Sequence, residues 1–84
     1  RLYHLRAQGG RHEIGLLVEL GAGRVVGIEV KATSAPDCGD ARHLLWLRDR
    51  LGARFVGGVV LHTGPSAYEI DERVQAAPIS TLWA

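Results

Sequence analysis

The sequence predicts an α/β domain on a mixed sheet: a three-strand meander, a crossover helix, a parallel strand and then short strands. Three observations carry this reading. Residues 12–20 alternate in side-chain character and are joined to the apolar run 24–32 by the short turn Gly21-Ala22-Gly23, as in hairpin-connected antiparallel strands. Residues 40–51 place Ala41, Leu44, Leu45, Leu47 and Leu51 at helical spacing. Residues 55–62 are almost wholly apolar, which suits a central strand covered on both faces.

Taken in order, residues 1–7 alternate charged and apolar side chains, with Tyr3 and His4, and read as a first strand. Gln8-Gly9-Gly10-Arg11 is a turn whose glycines can adopt positive φ. In the second strand Ile14, Leu16, Val18 and Leu20 share one face, and Glu13, Gly15, Leu17 and Glu19 share the other. The third strand, 24–32, contains Val25-Val26-Gly27-Ile28-Glu29-Val30-Lys31. A loop at 33–37 carries Pro36, and either Ser34 or Asp37 caps the helix that follows. Arg42, Asp49 and Arg50 lie outward on that helix, and Gly52 stands where a C-terminal glycine belongs. A strand, helix and strand from 24 to 62 form a crossover unit, so these two strands are expected to be parallel and the connection right-handed. Residues 63–66 end it, residues 67–70 and 74–78 are short strands, and 79–83 form a helical turn with Trp83 packed onto the sheet. One helix cannot cover both faces of a central apolar strand. The expectation is therefore a single domain over 1–84 that lacks its first helix and is the C-terminal fragment of a longer protein.

The totals set bounds. Eighty-four residues make one small domain with a limited core. A formal net charge of +1 carries no electrostatic footprint that demands nucleic acid or membrane, although a local patch is compatible with either. One cysteine, Cys38, excludes an internal disulfide and a cysteine-rich zinc site, and fits a reducing cytoplasm. These residues hold no apolar run long enough to span a bilayer and none that reads as a signal peptide, so the expected location is cytoplasmic, with no membrane partner.

Lys31 is the one lysine among ten basic residues. It closes an apolar strand, where an ammonium is costly unless paired or used. Glu29, two residues earlier, shares its strand face. A carboxylate beside an ammonium at a strand end can hold a divalent metal and a reacting phosphate. Phosphodiester hydrolysis needs both, as a metal-activated water and as positive charge on a developing dianion. The plainer alternative is an exposed ion pair at the sheet rim.

The order of three strands, helix and strand, with Glu29-Val30-Lys31 ending the third strand, resembles the PD-(D/E)xK restriction-endonuclease-like fold. The segments Tyr3-His4-Leu5-Arg6, Gly10-Arg11-His12-Glu13-Ile14, Val26-Gly27-Ile28-Glu29-Val30-Lys31-Ala32, Gly57-Gly58-Val59-Val60-Leu61-His62-Thr63-Gly64 and Ala77-Pro78-Ile79-Ser80-Thr81-Leu82-Trp83 together resemble one family. It is the C-terminal domain of unknown function attached to AAA+-type ATPases of bacteria and archaea. That resemblance implies an upstream P-loop ATPase domain, which would bind ATP, and a nuclease-like fold in this segment. It also implies catalytic roles for Glu29 and Lys31, with Glu29 on Mg²⁺ or Mn²⁺ and Lys31 on the water or scissile phosphate, and DNA as a partner. The pattern on the second strand is Glu-Val-Asp, and here it is Glu13-Ile14-Gly15, so Gly15 stands at the metal-binding Asp position without a ligand. Glu13 reaches that metal if the strand end bends. The site is expected to be degenerate and inactive as a nuclease.

Other candidates have plainer readings. His4, His12, His43 and His62 match no zinc spacing, and of these His62 merits attention because it ends a central parallel strand. Cys38 has no base placed beside it. No GxxxxGK[ST] loop is present, so this segment holds no P-loop nucleotide site. Arg42, Arg48, Arg50 and Arg54 can make a basic helix face, but Asp40 and Asp49 intersperse it.

Overall fold

The computed structural model describes residues 2–8 and 13–83, with side chains from residue 15 onward. Strands β1 (Leu2–Gln8), β2 (Glu13–Gly21) and β3 (Arg24–Val30) lead into helix α1 (Arg42–Leu51), followed by β4 (Phe55–His62), β5 (Tyr68–Asp71) and β6 (Val74–Pro78). They form one mixed six-stranded sheet in the order β1-β2-β3-β4-β6-β5. The three-strand meander is antiparallel, β4 runs parallel to β3 and to β6, and β5 pairs antiparallel with β6. The α/β class, the crossover and the central place of β4 follow the sequence expectation. The turn expected at residues 8–11 lies largely outside the described residues.

The β2–β3 connection shows why its glycines are there. Gly21, Ala22 and Gly23 have φ of 103°, 57° and 75°, a left-handed stretch that costs a side chain energy and glycine little. The ladder slips between Glu19 and Gly21, so this end of the hairpin carries a bulge.

Several boundaries move. The helix begins at Arg42 rather than residue 40, because residues 38–41 form a turn before it. Asp37 caps that turn: its Oδ1 accepts the Asp40 N–H at 3.1 Å, and Asp40 Oδ2 accepts the Asp37 N–H at 2.9 Å. This is the reciprocal geometry of a capping box, with Asp40 in the place of the usual Glu. The strand reading of 24–32 shortens to end at Val30, though the Lys31 N–H still donates to Leu61 O at 2.9 Å. Gly52 ends the helix at positive φ, 58°, with its N–H donating to Arg48 O. Residues 79–83 form a 3₁₀ helix, as a helical turn was expected there, but Trp83 does not pack onto the sheet; it is 73% exposed.

Helix α1 covers one face. Ala41, Leu44, Phe55, Val60 and Val74 make the core between helix and sheet, and Leu45, Leu47, Leu51 and Ile70 pack against it. Two glycines let the helix come close. A Cβ on Gly27 would lie 2.5 Å from Leu44 Cδ2, and one on Gly58 would lie 2.9 Å from the Phe55 ring and 3.3 Å from Leu44 Cδ1. Arg73 fastens the β5–β6 hairpin to the start of β4, donating to Gly52 O at 2.9 Å and to Phe55 O at 2.5 Å.

The opposite face holds the more apolar row of β2. Leu16, Ile28 and Val59 are aligned across β2, β3 and β4, as are Val18 and Val26, and all five are only half-buried. Among the described residues α1 is the one α-helix, so this face has no α-helical cover there. No helix among the described residues is long and apolar enough to cross a membrane.

Candidate functional site

The register fixes where the predicted residues stand. Gly15 pairs with Glu29, Glu29 with Val60, and Val60 with Ala76, a single row beneath the start of α1. Position 15 is thus the cross-strand neighbour of Glu29, the relation that two ligands of one ion would need. A cavity of about 330 Å³ opens beside this row, bounded by Gly15, Leu17, Glu29, His43, Leu44 and Trp46. Its walls are mostly apolar. The Glu29 side chain is 12% exposed, and its Oε2 lies 3.7 Å from His43 Nδ1 on the first turn of α1.

Lys31 lies one row further along the same face, 8% exposed, so the picture of an ion pair exposed at the sheet rim does not describe it. Glu29 and Lys31 are each engaged in a further interaction. Burial of an ammonium and a carboxylate near one strand end is costly and needs such partners. Glu13 lies on β2, but its side chain falls outside the described side chains.

Among the described side chains the donor set does not fit Mg²⁺. That ion prefers an octahedron of oxygen ligands and dehydrates reluctantly. Here one carboxylate faces a glycine, and no group of three His, Cys, Asp or Glu side chains able to hold a metal occurs among the described residues.

The carboxyl ends of β3 and β4 form a second polar cluster. His62 is fully buried. Its Nδ1 accepts the Gly64 N–H at 3.0 Å, which puts the proton of the neutral ring on Nε2. Nε2 has no hydrogen-bond partner among the described residues. The Tyr68 ring centroid lies 6.0 Å away, and Tyr68 donates its hydroxyl to Pro36 O at 2.6 Å. Thr63 donates both its N–H, at 2.9 Å, and its hydroxyl, at 3.0 Å, to Thr33 O. Gly64 lies so close to the Ser34 backbone that no side chain fits. These bonds fasten the loop after Lys31 to the loop after His62, so His62 reads as a structural histidine that holds this junction.

The four arginines Arg42, Arg48, Arg50 and Arg54, read from the sequence as a basic face interspersed with acids, do not share one surface. Arg48 turns inward: its side chain is 14% exposed, 3.0 Å from Asp49 and 3.6 Å from Asp71, and it donates to Glu72 O at 3.0 Å. Arg42, Arg50 and Arg54 remain exposed and make no ion pair among the described residues. Trp46, not singled out from the sequence, is 61% exposed with the Arg50 guanidinium 5.5 Å from its ring. The signal was legible as Arg42, Trp46 and Arg50 at successive spacings of four on one helix.

One family model, described as Domain of unknown function (DUF4143), matches residues 1–82. No curated protein and no solved structure matches the chain.

Proposed function

The chain belongs to the DUF4143 family, and from that premise we propose that it is a degenerate PD-(D/E)xK nuclease-like accessory domain of an AAA+-type ATPase, contacting nucleic acid or a protein partner. The observation that carries this reading is the pairing of Gly15 with Glu29. The order of elements, the shared face of Glu29 and Lys31 and the cavity beside Glu29 support a nuclease-like layout. The glycine removes the second carboxylate that a Mg²⁺-dependent hydrolysis requires. What remains is a place for Lys31 and Glu29 as weak ligand contacts.

The test is Mn²⁺-dependent cleavage of single-stranded, duplex and branched DNA by the full-length protein, with Gly15→Asp beside wild type. A silent wild type and a cutting Gly15→Asp are the expected pair. Cleavage by wild type that is lost in Glu29→Ala would instead support an active Mg²⁺-dependent DNA nuclease with a ligand from elsewhere. A third reading, a purely structural interaction domain, is favoured by one observation, the half-buried apolar row of Leu16, Ile28 and Val59. It predicts neither cleavage nor DNA binding, and a sheet face buried in the full-length protein.

A further inference from the structure

We propose that the outer ridge of α1, formed by Arg42, Trp46 and Arg50, is a stacking platform for single-stranded nucleic acid. This rests on the nucleic-acid arm of the function proposed above and names the surface and the kind of strand.

Three observations converge on the ridge. The first is an exposed indole. Trp46 leaves 61% of its surface to solvent in a chain whose core has few aromatic side chains to spare. The second is the arrangement of charge. Arg42 and Arg50 stand one turn before and one turn after Trp46, about 6 Å apart along the axis at each step. Arg50 already lies 5.5 Å from the Trp46 ring, the guanidinium–indole arrangement in which a further flat ring can be added. The third is what happens to the neighbouring acid. Asp49 stays 71% exposed but its carboxylate is paired with Arg48 at 3.0 Å, and among the described residues it makes no ion pair with Arg42 or Arg50. The ridge therefore presents two guanidinium groups, without an ion pair among the described residues, on either side of one exposed indole.

Charge and shape select the partner. Phosphates complement the arginines, and an unstacked base complements the indole, which is how single strands are held without sequence reading. A duplex hides its base faces and would use the arginines alone. An acidic peptide would pair with the arginines but gains little specifically from the indole plane. The net charge of +1 over these 84 residues gives no diffuse attraction, so binding by this segment calls for a local patch such as this one.

The test is titration of the full-length protein with a fluorescently labelled oligothymidine, the matching duplex and polyglutamate, with folding of each variant checked by circular dichroism. The expected result is binding of the single strand in preference to duplex and polyglutamate, with quenching of tryptophan emission that Trp46→Phe abolishes. Trp46→Ala weakens that binding by roughly tenfold, and Trp46→Phe largely restores it. Arg42→Ala and Arg50→Ala each lower the slope of log affinity against log salt by about 0.7. Single-strand binding that is indifferent to Trp46→Ala and to both arginine variants would overturn the platform while leaving nucleic-acid contact elsewhere on the domain. Equal affinity for polyglutamate with the same dependence on Trp46 would overturn it in favour of an acidic protein partner. No binding to either nucleic acid would overturn it together with the nucleic-acid arm of the proposed function.

Discussion

Gly15 stands directly across the β2–β3 ladder from Glu29, so the one buried carboxylate of this row faces a position with no side chain. Restoring a carboxylate there would place two acids on neighbouring strands of the same face. Gly15→Asp is expected to bind Mn²⁺ measurably tighter than wild type in isothermal titration, and Gly15→Asp combined with Glu29→Gln is expected to lose that gain. Equal Mn²⁺ affinity in wild type and Gly15→Asp would remove the ligand role of this row.

Close approach of α1 to the sheet depends on two glycines. Gly58→Ala would push a methyl to 2.9 Å from the Phe55 ring, and Gly27→Ala would set one 2.5 Å from Leu44 Cδ2. Each is expected to cost about 1–3 kcal/mol, the usual range for overpacking. Gly64→Ala meets backbone rather than a side chain tip, because the Ser34 carbonyl occupies that space, and should be the worst of the three. Thermal melts of the three variants check the order, and a Gly64→Ala milder than Gly58→Ala would contradict it.

Tyr68 ties β5 to the loop before the helix through a 2.6 Å hydroxyl bond to Pro36 O. Tyr68→Phe keeps the ring and removes the donor. The expected loss is about 1 kcal/mol, because the Pro36 carbonyl is left without this partner in a buried setting. Urea unfolding with an unchanged slope reads it, and an unchanged midpoint would show that water replaces the hydroxyl.

Asp37 brings an acid-sensitive contribution. The backbone N–H of Asp40, and then its side chain, hold the Asp37 carboxyl below the usual carboxylate range. A group whose folded value is lowered contributes stability above its unfolded pKa and loses it as pH falls through the folded value. The contribution is therefore complete above about pH 4 and fades below it. Asp37→Asn still caps the turn but does not titrate. The stability difference between wild type and Asp37→Asn should shrink as pH drops below about 4, and a difference independent of pH would refute the assignment.

Trp83 is expected to matter little to the fold. At 73% exposure, Trp83→Ala should change stability by no more than about 0.5 kcal/mol. A larger loss by calorimetry would mean that the 3₁₀ helix at Ile79–Trp83 is anchored through this side chain.

The legible parts of the fold were those written in local periodicity. The apolar stripe of Ala41, Leu44 and Leu47 specified the helix, and the run Phe55–His62 specified a central strand, since both patterns follow from burial of one face or of two. The alternation of β2 correctly sorted its two faces, but not which of them the helix would take. The helix lies over the row with Gly15 and Leu17, while Leu16 and Val18 face away from it. Missing residues of information were those set by distant partners. Arg48 reads as a surface arginine until Asp71 and the Glu72 carbonyl arrive from β5 and its turn. Trp83 reads as a core tryptophan until the short 3₁₀ helix carries it away from the sheet. For the site, Glu29, Lys31 and Gly15 were named by motif, whereas the His43 imidazole beside Glu29 depends on where the first turn of α1 lands.

The position of β4 has a consequence for how the chain reaches this state. Its two neighbours, β3 and β6, belong to different hairpin systems, each of which can form from contacts close in sequence. β4 joins them by parallel pairing on both sides, and each pairing closes a long loop. Contact order therefore predicts that the local pairings of the meander and the terminal hairpin form before the slower parallel pairings that join them along β4. Until that happens the Val60 and Phe55 side chains have no core to enter, so the cooperative unit of this domain is the seam at its centre rather than either half.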